Sequence, residues 1–175
     1  MPIVSLTDLY NACSDGDAAT VRRLLPAGGT RLDMSREAFQ ASNFLKSTPL
    51  MVAAQYGRTE IVRIILDLAH NTAVDAADAT GGTPLFQAAA HLHVGVIHVL
   101  AERGASLNVA SLFGQTPLSV AAGQMLPGSP APRDPDPDGA RQIATVRALL
   151  RLGAGTLPSS SPTPDPPTTP APRSP

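Results

Sequence analysis

Apolar positions recur at helical spacing in short paired segments, and the pairs return at a nearly constant interval. Thr-Pro-Leu stands at Thr48-Pro49-Leu50, Thr83-Pro84-Leu85 and Thr116-Pro117-Leu118, at intervals of 35 and 33 residues. Each copy runs into two alanines, Ala53-Ala54, Ala88-Ala89 and Ala121-Ala122. Self-similarity at this period predicts a stack of small units rather than one large core. The tripeptide itself predicts a helix start. The Thr hydroxyl takes an otherwise orphan backbone N–H, Pro in the first turn loses an N–H that had no partner, and Leu begins the apolar face. A second apolar stripe follows each start: Ile61-Val62 with Ile64-Ile65-Leu66, Val96-Ile97 with Val99-Leu100, and Val146 with Leu149-Leu150.

Residues 5–29 read as a degenerate first unit. Leu9, Ala12 and Cys13 stand where Leu and the alanine pair stand later, Gly16 marks the turn, and Val21, Leu24 and Leu25 supply the second stripe. Asp8, Asn11, Ser14, Asp15, Arg22 and Arg23 make its other faces polar, as suits a terminal repeat. Residues 30–46 are a long connection in which Met34 to Phe39 is read as an added helical turn. The second unit leaves through Leu68-Ala69-His70-Asn71-Thr72, with Asn71 as a left-handed residue. The fourth unit breaks after Ala121-Ala122 and resumes at Arg141. The predicted organisation is a repeat domain over 1–155, with units at about 5–29, 47–77, 78–110 and 111–155, a Pro/Asp-rich insertion at about 125–140, and a disordered tail at 156–175.

Composition supports thin helix pairs. Aromatics make up 3% of the residues and Trp is absent, so the core must be built from Ala, Leu, Val and Ile. The formal net charge of −1 suggests neither a nucleic-acid footprint nor a basic membrane patch. A single cysteine, Cys13, excludes an intramolecular disulfide framework. No stretch approaches the ~20 apolar residues of a membrane span. The expectation is a soluble, monomeric protein of the cytoplasm or nucleus.

Candidate chemistry falls away on inspection. Asp134-Pro135-Asp136-Pro137-Asp138-Gly139 resembles the first half of a calcium loop, yet Thr145 stands where the bidentate Glu belongs. His91 and His93, read on a helix, point in different directions; His98 is read as outward-facing and His70 as a loop residue, and no Cys stands near them. Cys13 is read as a packed, inert thiol. The only lysine is Lys46, so no phosphate-binding Gly-Lys-Ser/Thr loop exists, and Gly81-Gly82-Thr83 is read as a turn before an N-cap. No cofactor, metal or catalytic residue is expected. Pro130-Ala131-Pro132-Arg133 recurs as Pro170-Ala171-Pro172-Arg173, and the tail holds P-x-x-P spacings suited to an SH3- or WW-type groove.

The third unit carries a specific signature: Asp78, Gly81, Thr83-Pro84-Leu85, Ala88-Ala89, His93, Val96-Ile97, Leu100, Gly104-Ala105 and Asn108. In this the chain resembles ankyrin repeats over about residues 5–155. The resemblance implies an all-α ankyrin-repeat solenoid of about four helix–turn–helix units with β-hairpin-like fingers. It departs from the family's pattern in two places. The His after Thr-Pro-Leu is replaced by Met51, Phe86 and Ser119, and Leu92 stands at the inter-helix Gly. A less rigid stack is the expectation, with Phe86 in the core.

The resemblance also implies a mode of action, recognition of a protein partner by the concave face of fingers and first helices. Carried over to this chain, the partner-binding positions are Phe44, Leu45, Ala79, Thr80, Leu112, Phe113 and Gln115 on the fingers, and Gln55, Tyr56, Gln87, His91 and Gln124 on the first helices. Tyr56 and Phe113 are the expected aromatic anchors. The alternative is a regulatory or adaptor subunit that inhibits or positions an enzyme, with its Ser/Thr-Pro tail open to phosphorylation.

Overall fold

A computed structural model of the chain describes residues 6–25, 47–68, 73–123 and 139–155. Eight helices and no strand occur among them. They are α1 (Leu6–Asp15), α2 (Ala18–Leu24), α3 (Pro49–Gln55), α4 (Thr59–Leu68), α5 (Pro84–Ala90), α6 (Val94–Glu102), α7 (Pro117–Ala121) and α8 (Ala140–Leu152). Consecutive helices pair, and the pairs stack. One layer is α1–α3–α5–α7 and the other is α2–α4–α6–α8, each helix touching its neighbours in the layer.

The Thr-Pro-Leu chemistry is realised at all three starts. Thr48, Thr83 and Thr116 are extended N-caps whose hydroxyls accept the N–H groups of Met51, Phe86 and Ser119, with Pro in the first turn. Two of the residues that replace the family His complete a reciprocal cap. Met51 Sδ accepts from Thr48 N–H at 3.4 Å, and Ser119 Oγ accepts from Thr116 N–H at 2.9 Å. Phe86 has no polar atom to do so and instead packs, half-buried, against the core.

The interior is aliphatic and continuous through the stack. Leu50, Leu85, Ile65, Ile97, Leu100 and Leu149 are fully buried, and so are both alanine pairs of α3 and α5. Small side chains there let neighbouring first helices approach closely, since interhelix distance follows side-chain size. Cys13 belongs to the same interior. Its exposure is 0%, and burial pushes its thiol up to about 12. Only about one thiol in ten thousand would be ionised at pH 8, and the thiolate is the nucleophile. Cys13 is therefore expected to resist a disulfide-exchange reagent such as DTNB in buffer and to react fully once denaturant is added. Rapid labelling of the native chain would contradict its packing.

The turns between paired helices carry the links between units. At the residue before the link, Gly16, Gly57 and Leu92 all adopt positive φ, so Leu92 holds a left-handed conformation without the freedom of glycine. In the second and third units the next residue reaches back to the preceding unit. His93 Nε2 lies 3.1 Å from the Gln55 carbonyl, and because a carbonyl only accepts, Nε2 carries the proton and donates. Arg58 does the same job one unit earlier, its Nε donating to the Ser14 carbonyl at 3.0 Å. In the fourth unit α7 stops early, because Gly123 turns left-handed where α3 and α5 remain helical. Thr145, at the place a calcium loop would need Glu, is buried in α8 and donates to the Arg141 carbonyl at 2.7 Å. The 34–39 turn, Asn71, His70 and the P-x-x-P segments lie outside the described residues.

Candidate functional site

The candidate site is built on two adjacent fingers. In the finger before α5, Asp78 N–H donates to the Gly82 carbonyl at 3.0 Å and closes the turn. Its carboxylate then organises everything inside. Oδ1 accepts from Thr80 N–H at 2.8 Å, Thr80 Oγ1 at 2.6 Å and Gly82 N–H at 2.9 Å, while Oδ2 accepts from Gln87 Nε2 at 3.0 Å. A carboxylate with several donors around it makes strong hydrogen bonds, and here it ties the finger to α5.

The finger before α7 repeats this plan with Ser111 in place of Asp78. Ser111 N–H donates to the Gln115 carbonyl at 2.8 Å. Ser111 Oγ accepts from Phe113 N–H and Gln115 N–H, both at 3.3 Å. The two fingers are joined by one backbone bond, Leu112 N–H to the Thr80 carbonyl at 2.8 Å. Gly81 is required for that approach, because a Cβ there would lie 2.8 Å from the Leu112 nitrogen. The fingers are thus hairpin-like in their turn bonds, with no β ladder among the described residues.

This frame leaves two large apolar side chains in solvent. Leu112 is 76% exposed and Phe113 64%, at a tip whose backbone is fixed on both sides. Such a pair is suited to anchoring a protein surface and offers no acid, base or nucleophile.

The other expected contact residues are placed less uniformly. Ala79 is exposed and Thr80 half-buried at the neighbouring tip; Gln55 and Tyr56 are half-buried at the end of α3. Gln87 is half-buried and engaged with Asp78. Two positions differ from a projecting reading. His91 and Gln115 are buried, the first beneath the α5–α6 turn and the second in the fold of its own finger. His91 and His93 do not sit on a helix pointing apart; they flank a turn, and their rings stack with centroids 6.3 Å apart and planes 18° apart. His98 is exposed. Phe44, Leu45 and Gln124 lie outside the described residues. Arg58 was not among the expected positions. Its sequence signal is its place immediately after the turn glycine, the place His93 holds in the next unit.

Known proteins agree with this architecture. A family model of ankyrin repeats, in three copies, matches residues 9–111. Alpha-latrotoxin-Lt1a of Latrodectus tredecimguttatus is 33% identical over 116 residues, which are 66% of this chain and 8% of the toxin. Ankyrin repeat-containing protein P1E11.10 of Schizosaccharomyces pombe (strain 972 / ATCC 24843) is 36% identical over 75 residues, 42% of this chain and 35% of that protein. Diacylglycerol kinase zeta of Rattus norvegicus is 33% identical over 110 residues, 63% of this chain and 11% of the kinase. The chain spans no more than about a third of any of these relatives. Ankyrin repeats are in general protein–protein interaction modules and typically carry no catalysis. With the model match over more than half of its length, and with Thr-capped helix pairs stacked in two layers, the chain belongs to the ankyrin-repeat family.

Proposed function

We propose that this chain is a non-enzymatic recognition module that binds a protein partner through the fingers and first helices of units two to four. The observation that carries this reading is the exposure of Leu112 and Phe113 on a backbone held by Ser111 and by the bond to Thr80. An aromatic anchor on a pre-organised loop loses little freedom on binding, so its buried area converts efficiently into affinity. Thr80 and Ala79 at the adjacent tip, with Gln55 and Tyr56 on α3, supply the smaller and polar surroundings that such an anchor needs.

The test uses Leu112→Ser with Phe113→Ser. A photo-crosslinker at position 113 of the full chain first identifies the protein in contact, and the affinity of that protein is then measured for both chains. Hot-spot truncations cost about 2–4 kcal/mol, so a loss of roughly 30-fold to 1,000-fold is expected. The melting temperature should stay within about 2 °C, because exposed substitutions rarely exceed ±0.5 kcal/mol. Unchanged affinity in the double variant would remove the reading. A collapsed melting curve would show that the pair is structural.

A further inference from the structure

We infer that the outer face of α8 is a second docking surface, and that its occupant is an amphipathic helix of a protein partner with acidic residues beside its apolar stripe. The earlier units are laced together at one register of their outer helices. Two residues before the buried Leu24, Ile65, Leu100 and Leu149 stand Arg22, Arg63, His98 and Arg147. Arg22 reaches forward from α2 to Glu60 on α4 at 3.0 Å. Arg63 reaches forward from α4 to Glu102 at the end of α6 at 3.8 Å. An arginine at this register therefore meets a carboxylate on the next outer helix wherever one follows. Arg147 holds the register on the last described helix, and it makes no ion pair among the described residues.

The apolar side of the same face tells the same story. One residue after Leu24, Ile65 and Leu149, Leu25 is buried and Leu66 half-buried, whereas Leu150 is 54% exposed. Ile143, two turns earlier on the same stripe, is 51% exposed. The last described outer helix thus shows aliphatic side chains at the stripe that is covered in α2 and α4. Its charges are of one sign. Arg141, Arg147 and Arg151 lie on a helix with no Asp or Glu.

That charge pattern selects the occupant. A second copy related by a two-fold axis would set Arg147 and Arg151 against their own equivalents, which is repulsive. A second copy stacked head to tail would offer Ala19 and Pro26 at the positions where Glu60 and Glu102 stand in later units, so neither position that the earlier arginines use would hold a carboxylate. A partner helix with aliphatic residues spaced to meet Ile143 and Leu150, and a carboxylate between them, satisfies both requirements. The ion pairs set register and the apolar contact carries affinity, since exposed pairs are individually weak.

The test titrates the full chain with a stapled helical peptide bearing leucines two turns apart flanked by glutamates, and with a twin bearing lysines instead, read by fluorescence anisotropy. The glutamate peptide should bind saturably and the lysine twin at least about tenfold more weakly, because complementary potentials confer specificity. Leu150→Asp should abolish binding, and Arg147→Glu should reverse the preference between the peptides. Leu112→Ser with Phe113→Ser should leave both titrations unchanged, which separates this surface from the fingers. If Leu150→Asp fails to fold, the Arg147→Glu reversal still decides. Equal affinity for the twins, no saturable binding, or indifference to Arg147→Glu would overturn the inference. So would concentration-dependent self-association removed by Leu150→Asp, which assigns the face to a second copy. Binding that appears only after Asp134, Asp136 and Asp138 are changed to Asn would assign it to the chain's own acidic stretch.

Discussion

Gly57→Ala is expected to lower the melting temperature by about 10 °C, although it adds one methyl group. The residue has φ +69°, and a Cβ built there lies 2.6 Å from His93 Nδ1 and 2.8 Å from its Cε1. Left-handed backbone costs an alanine about 1–2 kcal/mol, of which roughly 0.4–1 kcal/mol returns through a stiffer unfolded chain. The collision adds more. His93 cannot swing aside cheaply, because its Nε2 is bonded to the Gln55 carbonyl and its ring is stacked on His91. Losing that bond costs about 0.5–1.5 kcal/mol, and repacking around a forced shift typically costs 1–3 kcal/mol. The total is about 2–6 kcal/mol, and 1 kcal/mol corresponds to roughly 2–8 °C for chains of this size range. Gly104→Ala is the control. It has φ +81° and nothing within 4 Å of the new Cβ, so it carries the backbone strain alone and should lose only about 1 kcal/mol. A double-mutant cycle with His93→Ala closes the argument. Gly57→Ala should be much milder in that background, because contacting residues are not additive. Equal losses for the two glycines in the native background would show that the imidazole is not what resists the methyl.

That result bears on what can be read from the bare chain. The Thr-Pro-Leu starts and the alanine pairs were legible because their chemistry is local: a cap, a fixed φ and an apolar face all lie within seven residues of each other. The link made by His93 was only half legible: the family pattern marks His93, but not its reach to the Gln55 carbonyl. The identical link made by Arg58 was not, because an arginine in a turn reads as an exposed charge until the Ser14 carbonyl is seen 3.0 Å from its Nε. Ring stacking of His91 on His93 was hidden for a related reason. Helical spacing was applied to two residues that straddle a turn, where it does not hold.

The candidate site was legible by halves. Leu112 and Phe113 are large apolar residues in a segment rich in turn formers, and they do project. His91, Gln87 and Gln115 look like equally good contact residues in one dimension, but Gln87 is engaged by a carboxylate nine residues away, and His91 and Gln115 are buried where the chain turns on itself. Leu150 shows the reverse. The stripe of α8 resembles that of α4, and its exposure arises because no described helix follows it in the layer. Burial is a property of the stack, and a repeat pattern alone does not say which copy lacks a neighbour among the described residues.

The widest effect on the candidate site is expected from a residue that need not touch a partner. Asp78→Ala removes the acceptor for four donors at once: Thr80 N–H, Thr80 Oγ1, Gly82 N–H and Gln87 Nε2. A hydrogen bond to a charged group contributes about 1.5–3 kcal/mol, but this finger is half-buried and water can replace part of what is lost, so a net cost of about 2–3 kcal/mol is expected. The consequence should travel to the next finger. The Thr80 carbonyl holds Leu112 N–H, so a loosened Thr80 frees the backbone beneath the exposed Leu112–Phe113 pair. Hydrogen exchange at Leu112 N–H should accelerate, and affinity for the partner should fall about tenfold from lost pre-organisation, with Leu112 and Phe113 themselves intact. Asp78→Asn separates charge from geometry. Its carboxamide oxygen can still serve Thr80 and Gly82, and Gln87 can turn its own amide to offer an oxygen to the new NH2 group. About 1 kcal/mol of loss and near-normal exchange at Leu112 are expected for that variant. If Asp78→Ala binds as tightly as the parent chain while its Leu112 N–H exchanges freely, rigidity of the finger is not what makes the apolar pair an anchor, and affinity resides in the side chains alone.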